Sequence, residues 1–143
     1  MNTKTLNVYL SNLAVLNAKL HNLHWNVTGK QFVQIHEFTE SLYDDFFTKY
    51  DEVAELLKMK GESPLVKLSD YLANATVEEV ESKAFSTDEV LQLVEEDLKT
   101  MKELSVDIRN EADKEGDFET VAVFEEHVAG YSKNLWFLKA MMS

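Results

Sequence analysis

Cysteine is absent from the 143-residue chain, and this absence removes several kinds of chemistry at once. Disulfide bridges, thiolate metal sites and cysteine nucleophiles are all excluded. No apolar run approaches the roughly 18 residues that a membrane-spanning helix requires, so we expect no membrane association. The first residues, from Met1 to Leu6, lack the basic-then-apolar pattern of an export signal. We therefore expect a cytoplasmic protein.

Proline and glycine are also scarce, with one Pro and four Gly in the chain. Because these residues interrupt regular structure, their few positions mark the ends of long elements. Four segments between them repeat apolar residues at steps of three and four, which is typical of amphipathic helices. These segments run from Leu6 to about Gly29, from Phe32 to near Gly61, from Ser86 through Ile108, and from Val121 to Met142.

The connections between the helices predict the topology. Gly29 and Gly116 mark short turns, so helices 1 and 2, and helices 3 and 4, should be antiparallel neighbours. Roughly 25 residues join helices 2 and 3, which is long for a structureless loop. No segment alternates with period two, so no sheet is expected. We predict one domain over residues 1–143, an all-α four-helix bundle with a long crossover between helices 2 and 3. The crossover should carry a short helix around its apolar residues Leu65, Leu68, Tyr71 and Leu72.

The formal net charge of −12 repels nucleic acid and attracts cations. In most acidic proteins such a charge serves solubility. A cation-gathering protein is the alternative interpretation, and only the spacing of ligand-type residues can favour it.

Histidine and carboxylate side chains lie close to the first turn. His24 precedes Gly29 by five residues and His36 follows it by seven, so an antiparallel hairpin brings the two imidazoles to similar heights. Glu40 follows His36 by four residues and lies on the same helix face. Asp51 and Glu55 form a second pair at the same spacing further along. The other two histidines, His21 and His127, receive no assigned role from spacing.

A helical wheel places these residues on the second helix. With Leu42 as the centre of the core stripe, His36 lies at about 120°, Glu40 at about 160°, Asp51 at about 180° and Glu55 at about 220°. All four therefore point away from the bundle core. A solvated polar face is the ordinary explanation for such an arc.

Two observations favour a face covered by another chain. Tyr43 and Phe47 fall on the same arc, and large aromatic side chains there suggest an interface. His36 and Asp51 lie about 22 Å apart along one helix, so they cannot share a metal ion within a chain. A twofold axis near residues 45 and 46 would bring His36 and Glu40 opposite Asp51 and Glu55 of a second copy. Such nitrogen and oxygen ligands suit Fe(II), and also Mn(II) or Zn(II).

At these residues the sequence resembles the Dps family, the mini-ferritins. The resemblance covers essentially the whole chain, and its motifs are His21–Gly29 with the sequence HNLHWNVTG, His36-Glu37-Phe38, Leu42-Tyr43, Asp51–Glu55 with the sequence DEVAE, and Gly61-Glu62-Ser63-Pro64.

The resemblance implies a ferritin-like fold and a ferroxidase that oxidises Fe(II), with hydrogen peroxide or oxygen as oxidant, and stores the ferric mineral. It also implies a dodecamer built from twofold dimers, with His24 and His36 of one chain and Asp51 and Glu55 of its partner as the ligands. Many members have Asp where this chain has Glu40. Trp25 would lie beside the site, where packing is its usual role and interception of oxidising equivalents the alternative.

The same resemblance implies an acidic pore at the turn between helices 3 and 4. Asp113 and Asp117 are the candidate pore residues, although Asp117 could instead cap the last helix. Some members carry a further acid where this chain has Ala122. Members that bind DNA generally use a basic terminal extension, whereas the first eleven residues here contain only Lys4. We therefore expect no direct DNA binding.

Three alternative interpretations compete with this one. A full-size ferritin would carry Glu-x-x-His motifs inside the bundle, and no Glu here precedes a His by three residues. A passive zinc or manganese site could use the same ligands without turnover. A non-enzymatic helical oligomer would explain the periodicity but not the combined His24, His36, Asp51 and Glu55 set.

Overall fold

The structure is a computed structural model that describes residues 3–143. Four long helices and one short helix account for most of the chain, which confirms the predicted all-α bundle. The elements are α1 (Thr3–Asn26), β1 (Val27–Thr28), α2 (Phe32–Met59), α3 (Leu68–Asn74), β2 (Phe85–Ser86), α4 (Thr87–Lys114) and α5 (Phe118–Met142).

The long helices pack around one apolar core. Helix α1 packs against α2, α4 packs against α5, and α1 also contacts α4. The leucine stripe of α1 lies fully inside, from Leu6 to Leu23. Burial of such apolar stripes on all the long helices stabilises the bundle, because helix propensity alone holds isolated helices only marginally.

The helix ends follow their local sequence. Ser86 caps α4, and its hydroxyl accepts from the backbone N–H of Glu89 while the Glu89 carboxylate accepts from the N–H of Ser86. The capping box that the sequence indicates is therefore present. At the other end of α4, Gly116 takes a φ of 70°. That left-handed conformation lets the N–H of Asp117 bond the carbonyl of Ala112 at 2.9 Å and close the helix.

The crossover from α2 to α4 carries the short helix that the sequence predicts, and α3 packs against α1. Asparagine side chains of α1 hold the crossover in place. Asn12 is fully buried, and its amide oxygen accepts from the N–H of Thr76 at 2.7 Å while its amide nitrogen donates to Thr76 Oγ1 at 2.9 Å. Asn7 and Asn22 make similar bonds to Leu65 and Val80.

The expectation that no sheet forms is wrong in one detail. Val27 and Thr28 pair in parallel with Phe85 and Ser86, as two strands of two residues each. Strands this short need no alternating pattern, so period-two analysis cannot find them. The pairing fastens the end of the crossover to the turn that follows His24. Between residues 3 and 143, none of the helices combines the length and apolar character that a bilayer crossing requires.

Candidate metal centre

His24 near the end of α1 and His36 near the start of α2 are held together by reciprocal hydrogen bonds. His24 Nδ1 donates to the backbone carbonyl of His36 at 2.6 Å, and His36 Nδ1 donates to the carbonyl of His24 at 2.9 Å. The short α1–α2 turn creates this register, because it returns the chain directly alongside itself. The two imidazole rings stack with centroids 3.6 Å apart.

These bonds fix the tautomer of both rings. A carbonyl oxygen can only accept, so each Nδ1 carries a proton. In the neutral ring Nε2 then keeps its lone pair, and Nε2 is the atom that can bind a metal ion. A carbonyl partner on the second nitrogen is the usual support of a metal-binding histidine. This arrangement is the one that two metal-binding imidazoles would require.

Aromatic side chains surround and restrain the pair. Tyr43 lies edge-on to His24 at 5.3 Å and stacks on His21 at 3.7 Å. Phe32 stacks on His36 at 5.2 Å. His24 itself is only 5% exposed. Little freedom is left for either imidazole to turn away.

The three carboxylates that the sequence predicts lie on the exposed side of α2. The Glu40 carboxylate accepts a hydrogen bond from the Tyr43 hydroxyl at 3.3 Å, which places it near the imidazoles. Asp51 and Glu55 are exposed and lie further along the same helix, about 22 Å and about 28 Å from His36 by helical rise. In residues 3–143, no three His, Asp or Glu side chains converge closely enough to hold a metal ion. Within one chain the predicted ligands therefore form two separate groups.

The same face exposes large aromatic side chains. Trp25 is 69% exposed and Phe47 is 64% exposed, and Phe32 is also exposed. We call Trp25, Phe32 and Phe47 the α1–α2 aromatic surface. Exposed apolar groups of this size beside polar ligands are typical of surfaces that another chain covers.

A second polar cluster, which sequence reasoning missed, lies inside the bundle. Tyr9 of α1 and Tyr131 of α5 are fully buried, with hydroxyl oxygens 2.5 Å apart. The Tyr9 hydroxyl lies 2.9 Å from His127 Nδ1, and His127 Nε2 lies 2.6 Å from Glu52 Oε1. Phe124, His127 and Tyr131 occupy successive positions of one apolar stripe, and this was the signal available in the sequence.

Burial dominates the titration of this cluster. It lowers the pKa of His127 to about 4, assisted by the positive charge of Lys49. It also raises the pKa of Tyr9 far above that of a free phenol, and raises the pKa of Glu52. His127 is therefore neutral near pH 7.

The two candidate pore residues differ in their surroundings. Asp117 caps α5, and its carboxylate accepts from Thr120 Oγ1 at 2.7 Å and pairs with the ammonium of Lys60. Although burial pulls the pKa of Asp117 upward, the bonds from Lys60 and Thr120 outweigh it and lower the pKa. Asp113 is exposed beside Arg109, which lies 3.5 Å away. Asp117 thus has the capping role that the sequence analysis considered, and a pore role for either residue stays a prediction.

The chain is similar to proteins of known family. A family model described as "Ferritin-like domain" matches residues 3–143. The chain is 34% identical over 129 residues to a DNA protection during starvation protein of Helicobacter pylori, covering 90% of each protein. Its structure matches a Dps protein from Bacillus brevis with a TM-score of 0.94 and 32% identity, over 99% of this chain and 94% of that one. A Dps protein from Vibrio cholerae, described as a member of a broad superfamily of ferritin-like diiron-carboxylate proteins, matches with a TM-score of 0.93 and 27% identity, over 99% of this chain and 88% of that one.

Proposed function

The chain belongs to the Dps family of ferritin-like proteins, and on this basis we propose that it is a ferroxidase that oxidises Fe(II) at sites shared between two subunits and stores the ferric product. Family membership supports an iron-binding mini-ferritin role. Beyond that role, we propose three features: oxidation of Fe(II), a site shared between subunits, and a shell that stores the product.

The observation that carries the proposal is the reciprocal pair of His24 and His36. Two imidazoles with protonated Nδ1 atoms present two free Nε2 atoms to a cation. Two neutral nitrogen ligands hold a divalent ion weakly unless carboxylates join them. The described part of the chain does not bring enough carboxylates to the pair by itself.

A twofold arrangement of α2 completes the ligand set. Helix α2 is continuous from Phe32 to Met59, and an antiparallel copy of it would place Asp51 and Glu55 of the partner subunit opposite His36 and Glu40. The exposed Phe47 would then lie close to the axis, in a self-complementary patch. The carboxylate oxygens suit Fe(III) once it forms, because harder ions favour oxygen ligands. Hydrogen peroxide takes up two electrons, so each molecule oxidises two Fe(II) ions.

A shell requires more than one kind of contact between subunits, and the chain exposes a second apolar surface. Trp136 is 65% exposed, and the exposed Phe137 lies beside it near the end of α5, with ring centroids 5.2 Å apart. We call these two residues the α5 surface. It lies on a different helix from the α1–α2 aromatic surface, and we propose that a dimer formed through one surface associates further through the other. This supports a closed homo-oligomer, which we propose to be the dodecamer of the family.

The name of the Helicobacter pylori relative refers to protection of DNA. We propose that this chain protects by removing Fe(II) and peroxide rather than by covering DNA. The net charge of −12 per subunit opposes contact with phosphates, and direct binding would have to overcome it.

A passive zinc or manganese site is the second candidate. It is favoured by the ligand types alone, because imidazole and carboxylate bind those ions as readily as Fe(II). Turnover separates the two candidates, since neither Zn(II) nor a static Mn(II) site consumes peroxide stoichiometrically with Fe(II).

The test is anaerobic loading of the purified protein with Fe(II), injection of hydrogen peroxide, and measurement of ferric absorbance. Asp51→Ala should slow oxidation to the protein-free rate and yield precipitate. Asp107→Ala, an exposed carboxylate change on α4, is the matched control and should oxidise normally. Wild-type protein that performs no better than buffer would overturn the ferroxidase proposal.

A further inference from the structure

The cluster formed by the buried Tyr9 and His127 with the partly exposed Glu52 lies outside the proposed iron site and has a defined direction of hydrogen bonding. The Glu52 carboxylate accepts, so His127 Nε2 carries the proton and donates to it at 2.6 Å. His127 Nδ1 is then an acceptor, and among the described residues the Tyr9 hydroxyl, 2.9 Å away, donates to it. The Tyr131 hydroxyl donates in turn to the Tyr9 oxygen at 2.5 Å, and the Ser105 hydroxyl lies 3.3 Å from the same oxygen. The Tyr9 proton is therefore directed at His127.

This direction of hydrogen bonding gives the Tyr9 phenol a proton acceptor, which a phenol requires when it is oxidised. A phenol that loses an electron becomes a strong acid and must release its proton at once. Burial opposes a free phenolate, since it raises the pKa of Tyr9. His127 provides a neutral base at hydrogen-bond distance, because burial keeps its pKa at about 4. On its other side His127 Nε2 lies 2.6 Å from Glu52 Oε1, so the imidazole is held by hydrogen bonds at both ring nitrogens.

Tyr131 is the poorer electron donor of the two tyrosines. Within residues 3–143, the partner that accepts its proton is the Tyr9 hydroxyl, which is a far weaker base than an imidazole. The Lys49 ammonium lies 5.2 Å from the centroid of the Tyr131 ring, and a positive charge there disfavours loss of an electron. Tyr9 instead packs edge-on to Phe124 with ring centroids 4.9 Å apart, and its ring is wholly excluded from solvent.

The cluster is connected to the proposed iron site through α2. Glu52 follows Asp51 directly in the chain, and the two side chains leave the helix on different faces. Glu52 also lines an open cleft of about 380 Å³ between α2 and α5, together with Asp45, Lys49 and His127. The Glu52 end of this hydrogen-bonded series therefore reaches solvent, whereas Tyr9 and Tyr131 are excluded from it.

We propose that Tyr9 is a one-electron donor that quenches radical oxidants formed during iron oxidation, with His127 as its proton acceptor. The inference rests on the proposed ferroxidase function, which supplies the oxidant. Peroxide that takes only one electron from Fe(II) yields a hydroxyl radical and hydroxide. Tyr9 gives one electron to that radical, which becomes hydroxide, and the Tyr9 O–H proton moves to His127 Nδ1. A second Fe(II) returns the electron, His127 returns the proton, and the tyrosine is restored as Fe(III) forms.

The chain offers a matched control in Tyr71. This side chain is 3% exposed, and its hydroxyl lies 2.6 Å from that of Tyr50 and donates to the carbonyl of Leu65 at 2.7 Å. It is thus a buried tyrosine paired with a second tyrosine, but its acceptor is a carbonyl and not an imidazole. If burial and pairing alone produced a stable radical, Tyr71 would form one as well.

The test is electron paramagnetic resonance on the assembled protein, frozen after mixing with Fe(II) and limiting peroxide. Wild type should give a neutral tyrosyl signal that falls at least about tenfold in Tyr9→Phe and in His127→Gln, and stays in Tyr71→Phe. Melting temperature and shell size of each variant, measured in parallel, identify any loss that arises from unfolding. A signal that persists in Tyr9→Phe, or one that Tyr71→Phe removes equally, overturns the inference.

A second arm separates this inference from the function on which it rests. A photo-oxidised ruthenium tris-bipyridine complex with persulfate generates a one-electron oxidant without iron. The same variants should show the same pattern of signal and loss in this arm. Absence of the Tyr9 signal here overturns the inference whatever the iron activity. A Tyr9 signal here with no iron oxidation in the other arm supports the tyrosine–histidine unit and overturns the proposed function.

Discussion

His24 and His36 each donate a ring hydrogen bond to the backbone carbonyl of the other, at 2.6 and 2.9 Å. Each imidazole is therefore oriented by the backbone carbonyl of the other histidine, so replacing one side chain leaves the carbonyl that orients the other in place. This reciprocal arrangement ties the geometry of the two predicted ligands to the register of one helical hairpin.

The first prediction concerns subunit complementation. If each site takes imidazoles from one chain and carboxylates from its partner, then His36→Ala and Asp51→Ala should each abolish oxidation alone. When the two variants are unfolded and reassembled together in equal amounts, about a quarter of the sites regain a full ligand set, as random pairing across a twofold axis requires. Peroxide-driven ferric absorbance measures the recovery.

The control for complementation is each variant reassembled with itself. A mixture as inactive as either parent would contradict a site divided between chains. Full activity of either parent alone would show that the altered residue is not a ligand.

The second prediction separates the two exposed apolar surfaces. Phe47→Glu should prevent formation of the twofold dimer, because burying an unpaired carboxylate in an apolar contact is costly. Trp136→Glu should stop assembly at a smaller species that still contains the dimer. Native mass spectrometry resolves the two outcomes. Identical assemblies in both variants would contradict distinct interfaces.

The third prediction distinguishes the two acidic residues near the α4–α5 turn. Asp117→Ala removes a helix cap and the partner of Lys60, so it should destabilise the fold by about 1–2 kcal/mol. Asp113→Ala should leave the melting temperature nearly unchanged and slow the entry of Fe(II), if the pore prediction holds. Thermal denaturation and the initial rate of iron uptake are the two measurements. Normal uptake in Asp113→Ala would remove that residue from the pore.

The fourth prediction is a pH dependence of stability that originates at His127. Its folded-state pKa, lowered by burial to about 4, lies below the ordinary value of 6.5. The unfolded chain therefore binds more protons between these values, and stability falls as the pH is lowered through that range. The contribution lost amounts to about 3 kcal/mol, from the size of the shift.

Wild type and His127→Gln compared between pH 4.5 and 7 isolate this effect from that of other titrating groups. The melting temperature of wild type should fall more steeply with decreasing pH than that of His127→Gln. Parallel pH profiles would show that His127 is not held neutral by burial.

Much of the architecture could be predicted because it depends on local pattern. The leucine stripe of α1 and the Ser86 capping box are properties of neighbouring residues, and both are present as the sequence indicates. The long crossover could be anticipated from its length, and its short helix from an apolar patch. The parallel pairing of Val27 and Phe85 could not, because it depends on how the crossover ends against the first turn.

The site divides in the same way. Helical spacing predicts that His24 and His36 lie side by side, and they do. It cannot predict that each ring bonds the other's carbonyl, since this depends on the register of the hairpin to within one residue. The bonds between Tyr9 and His127 join residues 118 positions apart. Only the packing of α1 against α5 brings them together, so no local pattern could reveal them.

The division of the proposed ligands along α2 has a thermodynamic consequence. An ion that needs His36 of one subunit and Asp51 of the partner subunit binds the dimer and not the separate chains. By mass action such an ion stabilises the associated state in proportion to the logarithm of its concentration. The degree of subunit association would then depend on the concentration of Fe(II), and it would be greatest when Fe(II) is most abundant.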